Sequence, residues 1–187
     1  MLPVPGLHNL RNALAAIASA IAAGVPLDSA VRALAGFVPV AGRMQHKQMS
    51  DGTLLIDDTY NANPDSVRVA IDVLGRMAGK RVLVLGDMGE IGDNGPALHA
   101  DAGIYAREQG LDALITLGEA SRAAAAAFGT GAHACASVDE VVAALRGLRA
   151  SCVLVKGSRF MRMERVVTAF SLNDGQAAKG QGEHHAA

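Results

Sequence analysis

The stretch Thr53-Leu54-Leu55-Ile56-Asp57-Asp58-Thr59-Tyr60-Asn61-Ala62-Asn63-Pro64 decides the fold. A short apolar run ends in two acids, passes two asparagines, and reaches a proline suited to the first turn of a helix. It reads as a buried strand, a polar loop and a helix. Ligands of open α/β sheets bind beyond the carboxyl ends of the strands, so the loop is also the first candidate site. The two adjacent acids cannot both face inward, so one of them is expected to do the work.

Outward from that stretch the pattern repeats. Upstream, Met44–Ser50 and Thr53–Asp58 read as two strands joined at Asp51-Gly52, a dipeptide that favours hairpin turns. Downstream, a helix from Pro64 to about Ala78 leads into the apolar strand Arg81–Leu85. Helices over Pro96–Gln109, Glu119–Phe128 and Val138–Leu148 alternate with strands over Ala113–Thr116, Ala132–Ala136 and Cys152–Val155. Ser137 suits the N-cap of the third of these helices. A last helix is expected from about Met163 to Phe170, with 171–187 as a loose tail. Alternating strands and helices of this kind predict an open, doubly wound, mostly parallel sheet.

Ahead of the hairpin, residues 7–23 and about 28–36 read as an Ala-rich helix pair, followed by a linker with Pro39 and Gly42. Ala13, Leu14, Ile17, Ala18 and Ile21 form one apolar face. That face is expected to fold back on the sheet domain or to meet a second copy.

Composition narrows the function classes. The formal charge of −1 leaves no electrostatic footprint for nucleic acid. Two cysteines, Cys135 and Cys152, are too few for a disulfide framework and read as buried thiols. The six histidines make no ligand cluster, so no metal site is expected on these residues. Met1-Leu2-Pro3-Val4-Pro5 lacks a basic start, and the apolar stretches meet a charge or Gly before reaching membrane-spanning length. The chain is therefore expected to be cytoplasmic and free of any membrane.

Five motifs carry chemistry. His8-Asn9-Leu10-Arg11-Asn12 sets His8 and Asn12 on one helix face beside Asn9, and amides both donate and accept as an adenine edge requires. Gly42-Arg43 places a guanidinium in the linker, where it can reach a phosphate. In the deciding stretch, a carboxylate at the strand end suits ribose hydroxyls. Val84-Leu85-Gly86-Asp87-Met88-Gly89-Glu90-Ile91-Gly92, with His99 following, lets a glycine-rich loop approach a ligand closely. Val155-Lys156-Gly157-Ser158-Arg159, followed by Met163-Glu164, suits a carboxylate or phosphate. Gly75–Lys80 falls one residue short of a P-loop, and Arg81 stands where Ser or Thr is required.

In this order the motifs resemble the Mur ligases, and DDTYNANP with GDMGEIG is most similar to members that add D-alanyl-D-alanine. The resemblance spans about residues 6–170, with Gly89 and Ile91 as departures. It implies an α/β fold: a Rossmann-like, doubly wound, mostly parallel sheet with an amino-terminal β-hairpin over 38–170, preceded by a helical remnant of the family's central ATPase domain over 1–37. It implies an ATP-dependent ligase that activates a UDP-N-acetylmuramoyl tripeptide as an acyl phosphate and joins it to D-alanyl-D-alanine. Carried over by motif, His8, Asn9, Asn12, Arg43, Asp58, Tyr60 and Asn61 are expected at the nucleotide. Asp87, Glu90, Lys156, Ser158 and Arg159 are expected at the dipeptide and the uridine-linked peptide. The family's P-loop and Mg2+ ligands belong to a central domain that these residues lack, so no complete catalytic set is expected here and the chain alone is expected to be inactive.

Two rivals remain at this stage. A receiver-like phosphoacceptor domain would use Asp57, Asp58, Asp87 and Lys156, but Asp87 follows the acidic pair one strand–helix unit too early. A non-catalytic module binding nucleotide or dipeptide would use the same residues without turnover.

Overall fold

The structure is a computed structural model that describes residues 7–37 and 40–180, without the side chains of Leu7, His8, Asp93 and 173–180. Two helices come first, α1 (Leu7–Ala22) and α2 (Leu27–Ala35). The hairpin follows as β1 (Gln45–Gln48) and β2 (Leu54–Asp58). Then come α3 (Pro64–Gly75), β3 (Arg81–Gly86), α4 (Gly95–Glu108), β4 (Ala113–Leu117), α5 (Arg122–Phe128), β5 (Ala132–Cys135), α6 (Val138–Leu148), β6 (Cys152–Lys156) and α7 (Glu164–Gly180).

The six strands form one sheet in the order β1-β2-β6-β3-β4-β5, with β1 antiparallel to β2 and every other pairing parallel. The apolar runs explain the layering. Every residue of β4 and β6 is buried, as strands covered on both faces require. Ile56, Leu83, Leu85, Leu114 and Leu154 pack under α3, α4 and α5. Leu55, Val82, Val84, Ile115, Val153 and Val155 face α6 and α7. This is the doubly wound, mostly parallel α/β sheet with an amino-terminal hairpin that the sequence predicts.

Two helices differ from expectation. α5 begins at Arg122 rather than Glu119, because Gly118 has φ +131° and the next turn is held by the Asp87 carboxylate. α7 runs to Gly180, so 171–180 is helical instead of a loose tail. Gln176, Ala177, Ala178 and Lys179 are good helix formers, and Gly175 alone costs about 1 kcal/mol, too little to end the helix.

The order of the sheet brings distant segments together. β6, last in sequence, inserts between β2 and β3. Its register sets Lys156 beside Asp58 on one side and Leu85 on the other. Met163, at the start of α7, plugs the junction: a Cβ on Gly86 or on Gly157 would press against its side chain.

Candidate nucleotide cleft

A cleft of about 720 Å³ opens where β2 and β6 end, between the sheet domain and the helix pair. Its floor is Asp58, Tyr60, Asn61 and Lys156; its walls include Asn63, Asp65, Ser66 and Val69 from the start of α3 and Asn9, Asn12, Ala13 and Ala16 from α1. Leu34, Phe37, Val40 and Arg43 close the remaining side. Small and apolar groups on α1 and α2 leave room for a flat ring, and amides stand at its edge.

Local chemistry fixes the floor. Asn63 caps α3, its side-chain oxygen accepting from the Ser66 amide at 2.8 Å while its own amide donates to Ser66 Oγ at 3.0 Å. The two acids divide their work, as the alternation of strand side chains requires. Asp57 is buried, and its Oδ1 accepts from Thr59 Oγ1 at 2.7 Å. Asp58 turns to the cleft. Its Oδ2 accepts from Lys156 Nζ at 2.6 Å, and its Oδ1 from the Met44 amide at 3.2 Å. Lys156 is 3% exposed and also donates to the Asn61 carbonyl at 2.8 Å.

The linker is bound to the same floor. The Tyr60 amide donates to the Gly42 carbonyl at 2.9 Å. Gly42 has φ +73°, and a Cβ there would fall 3.0 Å from the Tyr60 nitrogen, so glycine is required twice over. Arg43 lies over the Tyr60 ring, 4.2 Å from its centre.

Of the seven residues expected at the nucleotide, Asn9, Asn12, Arg43, Asp58, Tyr60 and Asn61 line this one cleft. The side chain of His8 lies outside the described residues. Of the five expected at the dipeptide and peptide, Lys156 lines this same cleft. The other four lie at the neighbouring strand ends. Asp87 Oδ1 accepts from the Ser121 amide at 2.7 Å, which ties the β3 loop to the turn after β4. Ser158 is buried and donates through Oγ to the Asp87 carbonyl at 2.6 Å. Glu90, at φ +58°, and Arg159 are exposed, and Arg159 pairs with Glu164 at 3.5 Å.

Sequence reasoning quoted His99 without a role. It is fully buried; its Nε2 accepts from the Met88 amide at 2.9 Å and its Nδ1 lies 2.7 Å from the Gly95 carbonyl. Those two bonds fix the tautomer, with the proton on Nδ1, and pin the β3 loop to α4. Asp65 and Ser66 were missed too; their position in the first turn after Pro64 was the available signal. Among the described residues no group of three His, Cys, Asp or Glu could hold a metal ion, and no helix is long and apolar enough to cross a membrane.

The chain is similar to known proteins. Residues 42–159 match the family model for the Mur ligase, glutamate ligase domain. The chain belongs to the Mur ligase family. It is 41% identical to the UDP-N-acetylmuramoyl-tripeptide–D-alanyl-D-alanine ligase of Escherichia coli (strain K12), over 92% of this chain and 39% of that protein. Among solved structures it is similar to MurF from Acinetobacter baumannii, at 38% identity and TM-score 0.83, over 91% of this chain and 38% of that one. It is also similar to MurF ligase from Thermotoga maritima in complex with ADP, at 25% identity and TM-score 0.74, over 86% of this chain and 37% of that one. The chain thus spans about two fifths of the length of these relatives.

Proposed function

We propose that this chain supplies the nucleotide-facing wall of a cytoplasmic ATP-dependent ligase that joins D-alanyl-D-alanine to UDP-N-acetylmuramoyl tripeptide in peptidoglycan synthesis. The observation that carries this reading is the convergence of Asn9, Asn12, Arg43, Asp58, Tyr60 and Asn61 on one cleft from three separate segments. Asn9 and Asn12 meet the adenine edge, Asp58 accepts from the ribose hydroxyls, and Arg43 leaves the Tyr60 face to reach the phosphates. In the reaction, a carboxylate takes the terminal phosphoryl of ATP to give an acyl phosphate and ADP. The dipeptide amine then attacks the acyl carbon, phosphate leaves, and the nitrogen gives up a proton as the amide forms.

In this reading 1–37 belongs to the central domain, its helices α1 and α2 closing the nucleotide side, and 38–170 is the unit that binds the dipeptide and the uridine-linked peptide, with Asp87 and Ser158 shaping the loops and Glu90 and Arg159 exposed above them. The described residues offer no cluster for Mg2+, so no step is assigned to the metal here. With no P-loop in the sequence, the chain alone lacks the donors that stabilise a transferring phosphoryl group.

Thermal denaturation with Mg2+–ATP, and separately with D-alanyl-D-alanine, tests the assignment. ATP is expected to raise the melting temperature in proportion to the logarithm of its concentration. An Asp58→Ala chain should lose that response. A chain blind to ATP, or one that turns over ATP and dipeptide unaided, would contradict this reading.

A further inference from the structure

Lys156 is costly where it stands. An ammonium buried to 3% exposure loses hydration that one neutral contact cannot replace, and an apolar side chain of similar volume would serve packing as well or better. Its contacts are directed. One N–H goes to Asp58 Oδ2 at 2.6 Å and another to the Asn61 carbonyl at 2.8 Å, and both residues line the cleft. The second oxygen of Asp58 is taken by the Met44 amide, on the linker. The carboxylate is thus held in its plane from β6 and from the linker at once. Each carboxylate oxygen carries two lone pairs. One on each is spent, which leaves one on each for two further donors side by side.

We propose that Lys156 is a positioning residue for ribose recognition: it fixes Asp58 so that both carboxylate oxygens accept from a vicinal diol. This inference rests on the nucleotide reading of the cleft. It also moves Lys156 away from the dipeptide, because Asp58 and the Asn61 carbonyl already claim its ammonium on the nucleotide side. Without the ammonium, the carboxylate can rotate about its terminal bond and keep the Met44 contact with one oxygen, and the paired geometry is lost.

The test is a titration of the 15N-labelled full chain with ATP and with 2′,3′-dideoxy-ATP, read at the amides of residues 58–61. The wild-type chain is expected to prefer ATP by about tenfold, the scale of one charge-assisted hydrogen bond. Lys156→Met is expected to bring that preference to about twofold or less while dideoxy-ATP binds as before. The double variant Asp58→Asn with Lys156→Met should lose nothing more than Asp58→Asn alone, since the lysine acts through the acid. If Lys156→Met does not fold, Lys156→Gln replaces it, and an intermediate preference is expected. A Lys156→Met chain that keeps the tenfold preference overturns the proposal, as does D-alanyl-D-alanine shifting the 156–157 amides in the wild type. A wild-type chain that binds both nucleotides equally overturns the ribose role and leaves the nucleotide reading standing. A wild-type chain that binds neither removes that reading and this inference together.

Discussion

Helices α1 and α3 share an apolar stripe at helical spacing, yet the fold treats them differently. In α3, Val67, Ala70, Ile71 and Leu74 are at most 1% exposed against the sheet. In α1, Leu14 is 57% and Ile21 48% exposed, while Ala13 is the buried position. Val31 on α2 is 49% exposed. Periodicity declares that a face is ready for burial; it does not supply the surface that buries it. α3 has strands β2, β6 and β3 beneath it. α1 and α2 have each other and the rim of the cleft, so Ala13 and Ala30 are buried and Ile17 and Leu34 half-buried, while Leu14, Ile21 and Val31 stay outside. The expected folding back of this pair is therefore partial, limited to the groups lining the cleft.

The sharpest way to break this contrast is a matched pair of truncations. Leu74→Ala should cost about 3 kcal/mol in chemical denaturation, the usual penalty for a cavity in a packed core. Leu14→Ala should change stability by less than about 0.5 kcal/mol, as exposed positions do. Equal costs would mean that α1 is buried in solution. A pair of glycines makes the same point from the opposite direction. A Cβ on Gly103 of α4 would collide with the Ala124 backbone of α5, whereas one on Gly36 would meet an oxygen at 3.7 Å. Gly103→Ala should then cost about 2–3 kcal/mol, with Gly36→Ala near neutral.

A third comparison concerns charge. Removing Lys156 leaves a largely buried carboxylate without its counter-ion, so Lys156→Met should lower stability by about 2 kcal/mol or more at neutral pH. Arg122→Ala breaks only the exposed pair with Glu119, at 3.7 Å, and should cost less than about 0.5 kcal/mol. Both are read by urea melts.

A fourth comparison is alkaline. Burial pushes the Cys152 thiol up to about 11 from an ordinary 9.0. The folded chain keeps a proton that the unfolded chain releases, so stability is untouched below pH 9 and falls as pH rises from there through 11. Between pH 8 and 10 the loss should be about 1 kcal/mol from this group, and Cys152→Ala should remove it from the pH profile. Cys135, also raised by burial and by the neighbouring Glu140 charge, contributes with the same sign. Helices α1 and α2 contain no cysteine, so amide exchange should localise the alkaline loosening to the sheet domain.

Much of this was legible in the residues. The runs Leu54-Leu55-Ile56, Arg81–Leu85 and Cys152–Val155 announced buried strands, and Pro64, Ser137 and Asp51-Gly52 marked starts and turns by local chemistry. That six of the residues expected at the nucleotide would share one cleft was legible because they sit in motifs that end strands, begin helices or join the two units. Lys156 makes a contact with Asp58 that was not legible, for a topological reason. Its partner in space is separated from it by the whole βα series, and no local pattern says that β6 inserts beside β2. His99 was opaque for another reason: a buried imidazole that satisfies one amide and one carbonyl leaves no mark in periodicity or composition. The length of α7 depended on a propensity contest around Gly175 that composition left close.

The sheet ends differently on its two sides. At one border β1 offers Gln45, His46, Lys47 and Gln48, three of them exposed, and its antiparallel course presents a hydrated, positively charged margin to any passing strand. At the other, β5 is four residues long and carries Ala132, His133, Ala134 and Cys135. A foreign strand would find charge and desolvation opposing it on the first margin, and too few open hydrogen-bonding groups to hold it on the second. The hairpin that opens the domain therefore also disfavours edge-to-edge pairing, which matters for a chain whose interior strands are largely apolar.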